Sequence, residues 1–480
     1  MIMSEPCDLT ATEARRLIGY KDLSPVELLD SCISRIELIN SRLGAVVSTD
    51  FDRARDIAKR QEKFMVDGHS LEPLHGLPLG VKDLLETQGL RTTFGSQVYT
   101  DHVPKQDSYI VSKLRRSGAN IFCKTNTPEF GAGANTKNSV FGSTGNPFDP
   151  DRTCGGSSGG SAVAIATNMM PLATGSDSGG SLRVPAAING VVAHRSTPGL
   201  VPSLDRLVGY SNYGVEGPMG RNVQDMAMML SVMVEYDKND PLAFPRNSEN
   251  YCGIEPVDLR RVRVAFSEDL GFCPVDNGIR DLFRERMNYI ESEFQSAQWG
   301  NPNLSNVQDV NWVLRCQFFI AQHKKHYENH KEKLGPNIVS NYEAAIGMPA
   351  ETIAWAHREQ TLIYRRMQEF FDDVDILICP TVGVPPFSKD QWYPSEINGK
   401  KMENYIEWFS LTWGLTIPGN PITAIPCGYE PTGTPFGLQV VGRYHADRFV
   451  ISVAKALEDL FDTNEDLRRP VPDIGQLHGL

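Results

Sequence analysis

The chain has 480 residues, of which 40% are apolar, 22% charged and 9% aromatic. That composition belongs to a soluble globular protein and excludes a disordered, collagen-like or coiled-coil chain. The net charge of −12 opposes phosphate backbones, so no nucleic-acid partner is expected. No apolar stretch approaches the ~18–20 residues of a membrane span, and Met1–Arg16 lacks the basic-then-apolar order of a signal peptide. The expectations are therefore no membrane partner and a cytoplasmic location. The nine cysteines are odd in number, widely spaced and without a C-x-x-C pair, which reads as reduced thiols.

The first ~65 residues read as helical. Thr10-Ala-Thr-Glu13 and Ser24-Pro-Val-Glu27 have capping-box form, with Pro25 at a first helical position. From Leu71 to Val192 glycine becomes dense and short apolar runs alternate with loops. Leu79–Val81 is predicted as a strand ending at Lys82, 109–117 as a helix and 120–123 as a strand. A buried helix over 161–170 and a buried strand over 187–193 follow. Helices are predicted at 276–297, 305–330 and 351–372, strands at 375–379, 422–426 and 436–441, and a closing helix at 448–461. Alternating strands and helices predict an α/β fold, a large layered core with at least partly parallel strands. With no repeat and no low-complexity linker, one domain over 1–480 is expected. Its parts are N-terminal helices 1–66, a catalytic core 67–225, a helical lobe about 270–372, and C-terminal strands and helix 373–480.

The densest chemistry lies in Cys154-Gly-Gly-Ser157-Ser158-Gly-Gly-Ser161 and Gly175-Ser-Asp177-Ser178-Gly-Gly-Ser181-Leu-Arg183. A flexible linker would not run straight into an apolar helix, nor recur before a buried segment. Glycine-rich turns bring backbone N–H groups close to an anion and hold serines for nucleophilic chemistry. A P-loop is excluded, because Gly76-Leu-Pro-Leu-Gly80-Val-Lys82 has the wrong spacing and lacks the following hydroxyl. Gly156-Ser-Ser158-Gly-Gly160 satisfies G-x-S-x-G, but residues 146–153 before it are loop chemistry where a nucleophile elbow needs a strand.

A third arrangement resembles the amidase signature family. The matching blocks are Leu74–Asp83, Asn126–Phe130, Gly155–Ala162, Gly175–Ala187, Glu216–Met219 and Gly437–Gly442, in the family's order. The resemblance implies an amidase-signature fold, a large mixed central sheet covered by helices on both faces. It places the catalytic lysine at Lys82, the bridging serine, held by a cis peptide bond, at Ser157, and the nucleophile at Ser181. The implied oxyanion hole is the backbone N–H groups of Ser178, Gly179, Gly180 and Ser181, with Ser158, Asp177 and Arg183 in support. No metal and no cofactor are expected.

The chemistry is coherent on its own terms. An amide carbon is a poor electrophile, so the attacking serine must lose its proton as it attacks. Lysine serves as base only when neutral, and burial can lower its pKa from ~10.4 to near 7. The expected activity is hydrolysis of a small, aryl or apolar carboxamide through an acyl-serine. The rivals are an inactive scaffold on the same fold and a glutamyl-tRNA amidotransferase catalytic subunit. Ala193-His194-Arg195-Ser196 departs from the Gly-Leu-Lys-Pro run frequent in the family, which weakens the amidotransferase reading. The partner is a small amide, and a homodimer stays open. His323, His326 and His330 lie among lysines and read as a solvated face more than a metal site. Cys316 reads as a buried structural thiol. The aromatic stretch 392–413 reads as core, with an apolar substrate wall as the alternative.

Overall fold

The computed structural model describes residues 5–245 and 250–479. Eleven strands form the main sheet: β1 Val46–Thr49, β2 Pro78–Lys82, β3 Asn120–Thr125, β4 Leu172–Asp177, β5 Val192–Arg195, β6 Val215–Gly220, β7 Arg263–Phe266, β8 Ser296–Trp299, β9 Ile376–Pro380, β10 Ile422–Tyr429 and β11 Pro435–Gly442. Their spatial order is β1-β3-β2-β4-β6-β5-β10-β11-β9-β7-β8. The sheet is mixed. β3, β2 and β4 run parallel, as do β9, β7 and β8, while antiparallel pairs join β4 through β6, β5, β10 and β11 to β9. Helices cover both faces, which is why β2, β3, β9 and β11 are buried along their whole length. The structure thus has the single mixed α/β domain expected.

Local chemistry explains the N-terminal helices. Ser24 and Glu27 form the reciprocal capping box at Pro25–Leu43, and Gly44 ends that helix at φ +63°. Thr10 caps Ala11–Tyr20 by accepting from Glu13 N–H. This region also holds β1, which the helical reading of 1–66 passed over.

Other segments differ from expectation. Residues 187–193 are not one strand: Arg183–Asn189 is a helix, Gly190 turns the chain at φ +67°, and β5 begins at Val192. Every residue of that helix is buried, so it shows no polar face to betray a helical period. The helix predicted at 276–297 stops at Ile290, and the chain then turns into β8. Pro336–Ala345 adds a helix to the lobe. The helix after the first serine motif is Gly159–Ala166, shorter than predicted and wholly buried. All nine cysteines are free, and all but Cys252 are buried, Cys316 among them. Among the described residues no helix is long and apolar enough to cross a membrane.

Candidate active site

The adjacent strands β2 and β4 frame the site. β2 ends at Lys82, whose N–H donates to Thr174 Oγ1 of β4 at 2.9 Å. Its ammonium nitrogen lies 2.7 Å from Ser157 Oγ, 2.8 Å from Ser158 Oγ and 2.9 Å from Ser176 Oγ. Lys82 is fully buried. Burial pushes its pKa down to about 7, against the opposing pull of the Asp177 and Glu216 carboxylates. Ser176 did not stand out in the sequence, because nothing in its motif separates it from Ser178. Only the folded arrangement shows that Ser176, near the end of β4, faces the lysine.

The glycines of the first serine motif are packing residues. A Cβ at Gly159 would lie 2.2 Å from Thr136 Oγ1, and one at Gly160 would lie 2.3 Å from the backbone nitrogen of Asn126. The Gly159–Ala166 helix therefore presses its backbone onto its neighbours, with Ser157 and Ser158 at its start. The Gly156–Ser157 peptide bond is cis. Ser158 N–H donates to the Ser181 carbonyl at 3.1 Å, which ties the two serine turns together. Lys82, Ser157, Ser158 and Ser176 are thus in direct contact, with Ser181 one backbone hydrogen bond away.

Asp177 and Arg183 hold the second turn. Arg183 donates to both Asp177 oxygens at 2.9 and 3.0 Å, and to Thr412, Thr416 and Gln439 at 2.8 Å each. Arg195, not singled out from the sequence, donates to the Asp177 carbonyl at 2.6 Å and to its carboxylate at 3.2 Å. Burial alone would raise the Asp177 pKa, but Arg183 and Arg195 outweigh it and hold the carboxyl below the usual carboxylate range.

The same carboxylate corrects one expectation. Gly180 N–H donates to Asp177 Oδ1 at 2.8 Å, so it is committed to the turn and not free for an oxyanion. Ser178, Gly179 and Ser181 remain as candidate donors. Gly180 itself sits at φ +132°, where a Cβ would lie 2.1 Å from Thr412 Oγ1. His194, the histidine nearest the motifs in sequence, is buried away from this relay, bonded to Thr423 at 2.9 Å and Asp447 at 3.2 Å.

A cleft of about 560 Å³ reaches Ser176 and Ser178. Leu84, Leu85, Phe94, Tyr99, Phe130 and Phe318 form its apolar wall. Phe130 holds a left-handed conformation (φ 47°, ψ 24°) that disfavours side chains by ~1–2 kcal/mol. There its ring stacks on His326 at 4.9 Å. The histidine helix Val307–His330 is thus not solvated throughout. His323 is buried and His326 half-buried, both line the cleft, and Tyr99 Oη meets His326 Nε2 at 2.9 Å. Burial, helped by the neighbouring His326 and Arg315, pushes His323 down to about 3, and burial lowers His326 too. Among the described residues no group of three His, Cys, Asp or Glu side chains is placed to hold a metal. Of the aromatics of 392–413, Tyr405, Trp408, Phe409 and Trp413 are buried core, Phe409 and Trp413 lying against Gly179 of the second turn, and Trp392 lines a separate cavity beside Lys137.

Comparison with known proteins agrees with this architecture. The family described as Amidase matches residues 27–451. An acylamidase of Rhodococcus erythropolis is 31% identical over 94% of this chain and 95% of its own. A glutamyl-tRNA(Gln) amidotransferase subunit of Natranaerobius thermophilus is 29% identical over 94% of this chain and 96% of its own. The crystal structure of a bacterial aryl acylamidase of the amidase signature family superposes with a TM-score of 0.88 at 26% identity, covering 98% of both chains. With the motifs in order, the mixed sheet in place and the match running over most of its length, the chain belongs to the amidase signature family and is an amidohydrolase.

Proposed function

We propose that the chain hydrolyses the C–N bond of small aryl or apolar carboxamides through an acyl-Ser181 intermediate. The observation that carries this reading is the buried Lys82 amine, within 2.9 Å of three serine hydroxyls at the foot of an aromatic-walled cleft. A neutral amine has two N–H groups and one lone pair. Ser158 Oγ lies 3.4 Å from the Ser176 carbonyl, to which its hydroxyl donates, leaving its lone pairs to accept from Lys82. With Ser158 and Ser176 taking the two N–H groups, the lone pair faces Ser157.

The chemistry then runs as a relay. Lys82 takes the Ser157 proton, Ser157 takes the Ser181 proton, and Ser181 Oγ attacks the amide carbon. The N–H groups of Ser178, Gly179 and Ser181 stabilise the oxyanion. As the C–N bond breaks, the proton returns through Ser157 to the leaving amine. Water then adds to the acyl-enzyme by the same relay, releasing the acid and restoring Ser181.

The apolar wall supports the substrate class. Burying an aryl ring against it gains ~25 cal/mol per Å². We expect aryl amides to exceed acetamide in kcat/KM by about tenfold or more, which asks for only ~1.4 kcal/mol of transition-state preference. A series over acetamide, hexanamide, benzamide, acetanilide and glutamine tests this. Acetamide turned over as well as the aryl amides overturns the apolar-substrate reading. The similarity to amidotransferase subunits supports glutamine as the rival substrate, and a glutamine preference would favour it.

A further inference from the structure

Opposite the aromatic wall, the cleft is polar. Ser203, Asp205 and Arg206 come from the loop before β6, and Glu216 from β6 itself. Glu216 pairs across the ladder with Ser176, the residue that contacts Lys82. Its Oε1 accepts from Ser203 Oγ at 3.1 Å, but its Oε2 is buried without a partner. The Arg206 side chain is only 5% exposed. Its Nη1 donates to the Gly209 carbonyl at 3.2 Å and lies 3.8 Å from Asp240, while its Nε and Nη2 are buried without partners. Buried donors and acceptors left unpaired are costly, so orphan groups of complementary kind in one cleft wall imply an occupant.

We propose that Arg206 and Glu216 form a specificity element for substrates carrying a second, neutral group that donates and accepts hydrogen bonds at once, such as a carboxamide, ureido or acylamino group. The inference rests on the amidase reading and adds a substrate class to it. A carboxylate would meet Glu216, Asp205 and Asp240, and an ammonium group, which cannot accept, would leave the orphan Arg206 N–H groups unpaired, so a neutral group that both donates and accepts fits the two orphan edges. Side-by-side N–H donors and a carboxyl oxygen match the two edges of an amide-like group. The orphan atoms lie just beneath the cleft surface, so the loop must yield slightly to admit the group. Leu207 and Tyr210, 71% and 85% exposed, lend that loop little packing to resist it.

Two substrate pairs test the proposal, because the group can sit on either side of the scissile bond: acetanilide against 4-ureidoacetanilide, and propionanilide against succinamic acid anilide. In at least one pair the substituted amide should have kcat/KM about tenfold higher. Arg206→Met and Glu216→Met should return that ratio to near one, and Glu216→Gln should keep most of it, since a carboxamide still accepts. The ratio cancels any effect on Lys82, and thermal unfolding of each variant checks its fold. A wild-type ratio of one or below in both pairs overturns the proposal, whatever becomes of the variants. So does a raised ratio that no substitution changes, as expected if ordered water fills the site, or a preference for ammonium- or carboxylate-bearing analogues. Calorimetric binding of phenylurea against ethylbenzene to Ser181→Ala needs no turnover. Phenylurea binding that depends on Arg206 in a wild-type chain that cleaves no anilide would sink the aryl-amide reading alone.

Discussion

At the residue scale, Lys82 concentrates the chemistry, and its burial has two measurable consequences. Activity should rise with pH through an apparent pKa near about 7, because only the neutral amine accepts the Ser157 proton. Lys82→Arg should lose roughly 10³-fold or more in kcat, since guanidinium stays charged; near-normal rates in that variant would end the base role. The second consequence is stability. Between the folded pKa and the ordinary lysine value the unfolded chain holds a proton that the folded chain does not, so stability rises with pH across that window. The Tm of Lys82→Met minus that of wild type should therefore shrink from pH 7 to pH 10, and a constant difference would contradict burial as the cause. For the nucleophile, a serine-reactive fluorophosphonate should add its mass to the wild type and not to Ser181→Ala. Labelling that persists in the variant moves the nucleophile elsewhere.

At the scale of elements, the two serine turns are held by different means. The first rests on close backbone packing and the second on buried charge. Gly160→Ala should destabilise by ~1–3 kcal/mol, because its Cβ would meet the backbone of Asn126 and Ala45 at 2.3 and 2.6 Å. Gly300→Ala, with open space around it, is the matched control, and urea unfolding separates the two. Removing Arg183 takes from the buried Asp177 carboxylate two of its five hydrogen bonds and one of its two arginines, so Arg183→Met should cost ~3–5 kcal/mol and most activity. A variant with wild-type stability would show that Arg195 alone suffices. Phe130→Ala should lower the aryl-over-acetamide preference by several-fold while sparing acetamide turnover more. An unchanged ratio would take Phe130 out of the aryl wall.

At the scale of the molecule, the sheet gathers residues that lie far apart in the chain. Lys82, Ser157 and Ser176 meet because β2 and β4 are neighbours, and Arg183 reaches Gln439 because β11 returns to the sheet's centre. The Lys82–Ser157 contact at 2.7 Å was legible from ordered motifs, which are local and specific, and the same motifs carry the proposal of Ser181 as nucleophile. The capping box at Ser24 and the strand ending at Lys82 were legible for the same reason: short-range chemistry writes them into a few adjacent residues. Ser176, Arg195, Arg206 and Glu216 were not, since each acts through a partner supplied by another strand or loop. The Arg183–Asn189 helix was misread because complete burial erases the polar stripe that marks a helix. The aromatics of 392–413 were read chiefly as core, and Tyr405, Trp408, Phe409 and Trp413 are buried there, whereas the wall-forming Phe94, Tyr99, Phe130 and Phe318 are scattered along the chain and meet only in the fold. By itself the sequence determined the α/β class and the family, and it supplied the candidates for the proposed relay, since turns, caps and apolar periods are encoded locally. Only the tertiary structure decided which N–H groups stay free, which side chains line the cleft and how strongly Lys82 is desolvated, because each depends on neighbours up to hundreds of residues away.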